Sequence, residues 1–276
     1  MTRITVVGGG KMGEALIAGI SQVAAQDQLD VQLGVVETDN MRAADLEARY
    51  SARQVTLEQA TADSEILILA VKPQSLVGLG KQMRESLTSD QVIVSVAAGA
   101  SIEFLTRAFG DQVALVRAMP NTPALLGKGV TGISFASNVS SEAQQLVHEI
   151  LSSVGTVVEI NESLQDGLTS VSGSGPAYFF AFVEALAAGG QELGLDQETA
   201  NTLAKQTIIG AAAMLELTGD SATTLRENVT SPNGTTQAAL ESFAASGLTA
   251  IVAKAEQAAA HRSAELTGQL LEQIDQ

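Results

Sequence analysis

The chain has 276 residues, a formal net charge of −16 at pH 7 and no cysteine. Binding to nucleic acid needs clustered Lys and Arg, so this negative charge argues against a nucleic-acid partner. The lack of cysteine excludes disulfides and thiolate nucleophiles, and it fits a cytoplasmic location. Because no apolar run is long enough for a signal peptide or a bilayer span, we also expect no membrane partner.

The first half of the sequence alternates short β-branched runs with helical patterns. Between the first two runs, apolar residues from Met12 to Val23 recur at helical spacing on one face. Strand–helix–strand alternation implies right-handed crossovers. We therefore predict an α/β fold whose first domain, residues 1–161, is a doubly wound, Rossmann-like parallel sheet. The predicted strands are Ile4–Val7, Val31–Glu37, Glu65–Val71, Gln91–Val96, Val113–Arg117, Gly132–Phe135 and Thr156–Ile160.

From residue 162 onward the strand patterns disappear and long, Ala-rich helices take over. They are predicted at Pro176–Leu193, Gln197–Leu217, Thr235–Ala245 and Leu248–Ile274. Many of these helices are apolar over more than one face, and such helices bury themselves in a partner. We therefore predict an all-helical dimerisation domain at residues 162–276, which forms a homodimer through its helices. A higher oligomer built of dimers is compatible with this prediction.

The first strand leads into the turn Gly8-Gly9-Gly10-Lys11-Met12-Gly13, which satisfies the pattern G-x-G-x-x-G. Its position, after the first strand and at the start of an amphipathic helix, makes the pattern indicative of dinucleotide binding. Gly8 allows the tight turn, Gly10 lets a pyrophosphate approach the backbone, and Gly13 lets the helix pack on the strand. The N–H groups of the helix N-terminus then face the phosphates. A glycine-rich turn without a ligand is the alternative.

Glu37 ends the second strand about 24 residues after Gly13, where an acid commonly binds the adenosine ribose hydroxyls. A carboxylate at this position would repel the 2′-phosphate of NADP. Glu37 and Asp39 therefore favour NADH, whereas Arg42 would favour NADPH if it turned towards the cofactor. An ordinary solvated acid at a strand end is the alternative for Glu37.

Further candidate cofactor contacts follow later strands, because the carboxyl ends of parallel strands line the ligand crevice. Lys72, in Ala70-Val71-Lys72-Pro73, is placed to bind a ribose or a phosphate. The small side chains after the next strand, Val96, Ala97 and Ala98, leave room for a flat ring. Asn121, in Met119-Pro120-Asn121-Thr122-Pro123, is placed to hold a carboxamide or a carbonyl, or else to cap the turn; the spacing leaves both open.

Two segments rich in hydroxyl side chains and glycine, Ser172–Tyr178 and Asn228–Thr236, lead into helices. Hydroxyls and free N–H groups at a helix start suit a carboxylate, although ordinary capping is the alternative. No cluster of His, Asp and Glu has metal-ligand spacing, so we expect no metal, and His148 and His261 are interpreted as structural or solvated. Hydride transfer to an electrophilic carbon needs little from side chains and fits best.

Taken together, the sequence resembles the pyrroline-5-carboxylate reductase family. The motifs that carry the resemblance are colinear and span the chain: the glycine-rich turn, Ala70–Pro73, Met119–Pro123, Ser172–Tyr178 and Ser231–Thr236. The resemblance implies a Rossmann domain followed by a helical dimerisation domain, with each active site at the dimer interface. It also implies reduction of the C=N bond of 1-pyrroline-5-carboxylate by NADPH or NADH, giving L-proline in the last step of proline biosynthesis.

The resemblance further implies the roles of individual residues. The cofactor contacts of the family fall on Gly8–Gly13, Ala70–Pro73 and Val96–Ala98. Thr236 is the hydroxyl nearest the imine nitrogen and the expected catalytic residue; because threonine is a poor acid, it would orient a protonated imine or relay a proton from water. The implied substrate contacts are Glu162, Asn228, Ser231, Gly234, Thr235 and Thr236.

The sequence departs from the family pattern at two positions. Asn233 stands where family members often have the first Gly of Pro-Gly-Gly, and Asn tolerates left-handed backbone angles better than most residues. Glu37 stands where members that prefer NADPH often carry a small polar or basic residue.

Three alternatives to this function follow from the same sequence. A β-hydroxyacid dehydrogenase needs a catalytic Lys with Asn one turn later, and neither Lys205 nor Lys254 is followed by that Asn. A dinucleotide-binding regulatory module without catalysis is disfavoured by the intact Ser231–Thr236 segment. An imine reductase that acts on a different ring is the nearest alternative.

Overall fold

The computed structural model describes residues 1–26 and 29–274 of the chain. Contacts divide them into two compact units, one formed by Met1–Ser174 together with the chain from Ala258 on, the other by Gly175–Gln257. The predicted domains, 1–161 and 162–276, include residues 27, 28, 275 and 276, which lie outside the described residues. The predicted border between residues 161 and 162 stays a prediction, because the contacts of the first unit continue to Ser174 and resume at Ala258.

The first unit is built on one sheet of eight strands in the order β3-β2-β1-β4-β5-β6-β7-β8. Neighbouring strands from β3 to β6 in this order are parallel, and the strand order reverses beside β1, as in doubly wound folds. The strands are β1 (Thr2–Val7), β2 (Val31–Val36), β3 (Arg53–Gln54), β4 (Ile66–Leu69), β5 (Val92–Ser95), β6 (Ala114–Met119), β7 (Gly129–Phe135) and β8 (Gly155–Glu159).

The last part of the sheet departs from the predicted parallel arrangement. β7 runs antiparallel to β6, with Val116 opposite Phe135 and Met119 opposite Gly132. A parallel crossover needs a dozen or more residues, and the segment 120–128, with its 3-10 turn Thr122–Leu126, is too short for one. The chain therefore reverses direction here, and β8 then pairs in parallel with β7.

Helices cover both faces of the sheet. In β4, Ile66 and Ile68 belong to one buried cluster and Leu67 and Leu69 to the other, which is why the strand is a continuous apolar run. The helices of this unit are α1 (Lys11–Ala25), α2 (Asn40–Tyr50), α3 (Leu57–Asp63), α4 (Leu76–Met83), α5 (Ile102–Phe109), α6 (Ser141–Ser152) and α7 (Gln165–Leu168). A 3-10 turn, Glu162–Leu164, precedes α7, and a π-helical turn, Thr169–Gly173, follows it.

The second unit is helical. Its helices are α8 (Gly175–Glu192), α9 (Gln197–Leu217), α10 (Ala222–Asn228) and α11 (Thr235–Ala245), and α12 (Leu248–Ile274) contributes residues to both units. The predicted bounds of α9, α11 and α12 are confirmed. The short helix α10 was not predicted; it begins where Ser221 caps it by accepting a hydrogen bond from Thr224 N–H at 3.1 Å.

The described residues contain no single helix that is both long and apolar enough to cross a membrane. The bent pair α11 and α12, with 52° between the two helices, satisfies that criterion jointly, by length and composition alone.

Candidate active site

The glycine-rich turn between β1 and α1 has the geometry of a phosphate cradle. Gly8 has a φ of +104°, which favours glycine, and a Cβ on Gly13 would overlap the carbonyl oxygen of Gly8. A Cβ on Gly10 would meet no atom within 4 Å, so the space above this residue is open. Among the described residues no side chain caps the start of α1, whose first two residues are Lys11 and Met12. The N–H groups there are therefore available to an anion, and the turn fits a dinucleotide pyrophosphate.

The half-buried carboxylate of Glu37 lies at the edge of this turn. Its Oε2 accepts a hydrogen bond from Gly9 N–H at 2.8 Å, and its Oε1 accepts from the N–H groups of Thr38 and Asp39 at 2.7 and 3.0 Å. Burial favours the neutral acid, but the hydrogen bonds from Asp39, Gly9 and Thr38 outweigh it and lower the pKa of Glu37. The group is therefore a carboxylate at neutral pH. Its role as a contact of the adenosine ribose stays a prediction.

Arg42, on α2, contacts the same turn from the other side. Its Nε donates a hydrogen bond to the carbonyl oxygen of Gly9 at 2.9 Å, and its terminal nitrogens pair with Glu14 and Asp45. All three guanidinium nitrogens of Arg42 therefore contact acceptors within the protein.

The predicted cofactor segments after β4 and β5 lie beside the glycine-rich turn, because β1, β4 and β5 are neighbours in the sheet. The chain after β4 is fixed to β1 by a 2.9 Å hydrogen bond from Ala70 N–H to Val7 O. Of the predicted contacts in these segments, Lys72 is exposed, Val71, Pro73, Val96 and Ala98 are half-buried, and Ala97 is buried. The three predicted segments therefore lie together at the carboxyl ends of neighbouring strands.

Asn121 lies just after β6, and its amide contacts protein in both directions. Nδ2 donates to the carbonyl oxygen of Ser172 at 3.0 Å, and Oδ1 accepts from Val130 N–H at 2.9 Å. The side chain thus ties the loop after β6 to the π-helical turn before α8. Its role as a cofactor contact stays a prediction.

Glu162, an expected substrate contact, belongs to a charged network in the first unit. Its Oε1 accepts a hydrogen bond from Ile102 N–H at 2.7 Å and pairs with Arg117 at 3.3 Å. The buried Arg117 also lies 3.6 Å from Asp166, which accepts a 2.7 Å hydrogen bond from Ser263. Sequence reasoning missed this network, and its one signal is an Arg within the apolar run of β6, since a buried charge needs partners.

The segment between α10 and α11 holds the other expected substrate contacts, within the second unit. Asn233 has a φ of 58°, so this Asn does adopt the left-handed turn. Gly234 N–H donates to Ser231 O at 3.0 Å, and a Cβ on Gly234 would lie 2.8 Å from Ser231 Oγ. In the described part of the chain no side chain caps α11, so its first N–H groups, at Thr235 and Thr236, are available to a carboxylate. Thr236 is half-buried, and Asn228 is exposed at the end of α10.

The other groups singled out by sequence are solvated. His148 is exposed and lies 3.3 Å from Ser152 Oγ, and His261, 76% exposed, pairs with Glu265 at 3.2 Å. Within residues 1–26 and 29–274, no group of three or more His, Asp or Glu side chains is arranged to hold a metal ion.

Comparison with known proteins identifies the family. The family model for pyrroline-5-carboxylate reductase dimerisation matches residues 162–266, and the model for NADP oxidoreductase, coenzyme F420-dependent, matches residues 3–99. The chain is 39% identical to the pyrroline-5-carboxylate reductase of Pseudomonas aeruginosa, over 97% of this chain and 98% of that protein. The chain belongs to the pyrroline-5-carboxylate reductase family.

Other relatives and solved structures agree with this family. The pyrroline-5-carboxylate reductase of Arabidopsis thaliana is 34% identical, over 96% of this chain and 95% of that protein. The structure of a pyrroline-5-carboxylate reductase from Coxiella burnetii superposes with a TM-score of 0.88 at 31% identity, covering 96% of this chain and 98% of that one. That of Plasmodium falciparum pyrroline carboxylate reductase with NADP bound gives 0.81 at 27% identity, with the same coverage. The predicted family and fold class are confirmed.

Proposed function

We propose that this chain transfers a hydride from NADPH or NADH to the C=N bond of 1-pyrroline-5-carboxylate, which gives L-proline. The observation that carries the proposal is the uncapped start of α11 after Ser231–Gly234, in a chain of this family that also has an open glycine cradle at Gly10. The first is suited to a carboxylate and the second to a dinucleotide pyrophosphate. Membership of the family supports an NAD(P)H-dependent oxidoreductase.

The substrate is an anion, and the chain carries a net charge of −16. A local site built from backbone groups is therefore needed to attract the substrate anion despite the negative charge of the chain. The N–H groups at the start of α11 supply one, because they carry the positive end of the helix dipole and have no competing side-chain cap among the described residues. Gly234 is required for this geometry, since the hydroxyl and the carbonyl of Ser231 occupy the space that a larger residue would fill.

The residues of the glycine-rich turn would hold the pyrophosphate of a nicotinamide dinucleotide, which would supply the hydride for the imine carbon, while the imine nitrogen carries the proton. The hydroxyl of Thr236 orients the protonated nitrogen, because a threonine hydroxyl is too weak an acid to donate the proton itself. Most of the rate enhancement would then come from positioning the imine carbon for the hydride. Glu162 and Asn228 are the remaining proposed substrate contacts.

The adenosine end of the turn favours NADH. Glu37 is held as a carboxylate by three backbone N–H groups, and a carboxylate accepts hydrogen bonds from ribose hydroxyls but repels a 2′-phosphate. We therefore expect the chain to use both cofactors and to bind NADH more tightly than NADPH.

A second copy of the chain is the proposed partner of the second unit. The helices of the second unit border an open cavity of about 600 Å³, which is lined by apolar side chains such as Phe182, Leu203 and Phe243. Phe180 and Leu193 are 66% and 89% exposed in the single chain, and large exposed apolar surfaces mark interaction sites. Together with the match to the dimerisation family, this supports a homodimer, which is proposed to act in the cytoplasm and to be able to assemble further.

The test is the loss of NADH or NADPH absorbance when the purified protein is mixed with 1-pyrroline-5-carboxylate, with 1-pyrroline as the matched ring that lacks the carboxylate. The proposal expects rapid oxidation of either cofactor with the first imine and much slower oxidation with the second. Equal rates with both imines would instead favour an imine reductase for another ring. Cofactor binding with no oxidation would favour the regulatory module.

A further inference from the structure

A cluster of four charged side chains joins α1 to α2 beside the glycine-rich turn. This Glu14 cluster consists of Glu14, Arg42, Asp45 and Arg49. One oxygen of Glu14 pairs with Arg42, and the other lies 2.6 Å from Arg49. Asp45 pairs with both arginines, at 3.2 and 3.1 Å. The two carboxylates and the two guanidinium groups therefore balance each other.

Arg42 is the member of the Glu14 cluster that reaches the adenosine end of the turn. Its Nε donates to the carbonyl oxygen of Gly9 at 2.9 Å, while Gly9 N–H donates to Glu37 at 2.8 Å. Arg42 and Glu37 thus bind opposite ends of the same residue. The ribose hydroxyl that distinguishes NAD from NADP is expected beside Glu37, so Arg42 lies where a cation could bind a 2′-phosphate.

Each nitrogen of the Arg42 guanidinium has a protein acceptor: Gly9 O for Nε, Asp45 for one terminal nitrogen and Glu14 for the other. Recognition of a phosphate by Arg uses two such N–H groups in parallel. The side chains of Arg42 and Glu14 are 30% and 19% exposed, so this pair is screened less than an ordinary surface ion pair. The hydrogen bond from Arg42 lowers the pKa of Glu14, with burial opposing it, so Glu14 is charged at neutral pH.

We propose that Glu14 is a specificity-determining residue for the cofactor, because it holds and neutralises Arg42 and so withholds it from the 2′-phosphate of NADP. This inference rests on the proposed dinucleotide function. The preference for NAD over NADP then depends on two acids. Glu37 repels the 2′-phosphate directly, and Glu14 binds the Arg42 guanidinium that would otherwise offset this repulsion.

The test compares the dissociation constants of NADP⁺ and NAD⁺ for the full chain, measured by calorimetry in low salt. Glu14→Gln keeps the size of the side chain and removes its charge. The ratio of NADP⁺ affinity to NAD⁺ affinity is expected to rise by about threefold or more, the effect of one partly screened charge. Glu47→Gln is the matched control, because Glu47 is exposed on α2 and makes the same change of charge; its ratio is expected to stay at the wild-type value.

A double-mutant comparison identifies the mechanism. Arg42→Ala alone is expected to leave the ratio near the wild-type value, and Glu14→Gln/Arg42→Ala is expected to lose the whole gain. Asp45→Asn removes the other carboxylate from Arg42 and is expected to shift the ratio in the same direction by a smaller amount. This variant replaces Glu14→Gln in the test if Glu14→Gln does not fold.

Two results would overturn the inference and leave the proposed function standing: an unchanged ratio in folded Glu14→Gln, or a gain that persists without Arg42. A protein that binds neither nucleotide would overturn it together with the proposed function. Because only binding is measured, failure to reduce the imine would refute the proposed function and leave the shift in ratio standing.

Discussion

Asn121 donates a hydrogen bond to the carbonyl oxygen of Ser172 over 3.0 Å, across 51 residues of sequence. In a helix this carbonyl would accept from the residue four positions on, but that residue is Pro176, which has no N–H. Nearby, the Cε of Met119 would lie 2.9 Å from a Cβ on Gly173, so the end of β6 packs tightly on the π-helical turn. Asn121 thus donates to a carbonyl that Pro176 leaves without its usual helical donor, and it fixes the turn to the sheet.

Asn121→Asp should destabilise the chain, because it replaces the donor to Ser172 with an acceptor. We expect a loss of about 1–3 kcal/mol in the free energy of unfolding, measured by urea denaturation. Asn161→Asp is the matched control: Asn161 only accepts through Oδ1, from Ser163 N–H at 3.0 Å, and Asp can do the same. Equal losses in the two variants would contradict the role given to Asn121.

Local patterns in the sequence were sufficient to predict most of the fold. The strands of the sheet core are buried on both faces and therefore form continuous apolar runs, and α9 and α11 begin and end at strong capping or glycine signals. The antiparallel direction of β7 was not predicted, because an apolar run gives the position of a strand but not its orientation. Segment 120–128 is too short for a parallel crossover, so its length indicates that the chain reverses direction between β6 and β7.

The contacts of the candidate site could be predicted only in part. The glycine-rich turn is local in sequence, so its geometry follows from the spacing of Gly8, Gly10 and Gly13. Arg117 and Glu162 lie 45 residues apart and meet only when β6 and the segment after β8 have folded. Asn121 remained open between two roles because its partner Ser172 lies 51 residues away in the sequence. Long-range pairs of this kind require the tertiary structure.

Arg117→Met should destabilise the first unit, because it leaves Glu162 and Asp166 without their cation. We expect a loss of about 2–3 kcal/mol, less than for a fully buried pair because the two carboxylates are 30% and 36% exposed. Arg262→Met removes an exposed pair with Glu265 on α12 and should cost about 0.5 kcal/mol or less. Chemical denaturation of both variants checks this, and a loss for Arg117→Met no larger than the control would refute it.

The stability of the chain should depend on pH through Glu37. Its pKa in the folded state lies below the ordinary value of 4.5, since three backbone hydrogen bonds outweigh burial. The carboxylate therefore contributes stability above the pKa of the unfolded state, and this contribution is lost as pH falls through the lowered pKa. The variant Glu37→Gln has no carboxylate at this position, so it lacks that contribution at every pH. The free energies of unfolding of wild type and variant should then differ at neutral pH and converge as pH falls through the lowered pKa of Glu37; a difference that persists unchanged in acid would contradict this assignment.

Two glycines of the same turn should respond differently to substitution. A side chain on Gly10 points into open space, whereas a Cβ on Gly13 overlaps the carbonyl oxygen of Gly8. Gly10→Val should change the free energy of unfolding by only about 0.5 kcal/mol and weaken cofactor binding by about tenfold or more, because it blocks the approach of the pyrophosphate. Gly13→Ala should destabilise the fold itself. Thermal unfolding and nucleotide titration of the two variants separate these effects, and unimpaired binding by Gly10→Val would refute the cradle.

Thr236 should act on the rate of the reaction and not on substrate binding. It follows an uncapped helix start whose backbone is proposed to hold the substrate carboxylate, so removing its hydroxyl leaves that anchor intact. Thr236→Val should lower kcat by about tenfold or more with little change in KM, since the protonated imine loses its orienting partner. Thr236→Ser should restore most of the rate, and Thr156→Val, at an exposed position of β8, should leave it unchanged. If Thr236→Val instead raised KM at an unchanged kcat, the hydroxyl would serve binding alone, and proton placement would have to come from another group.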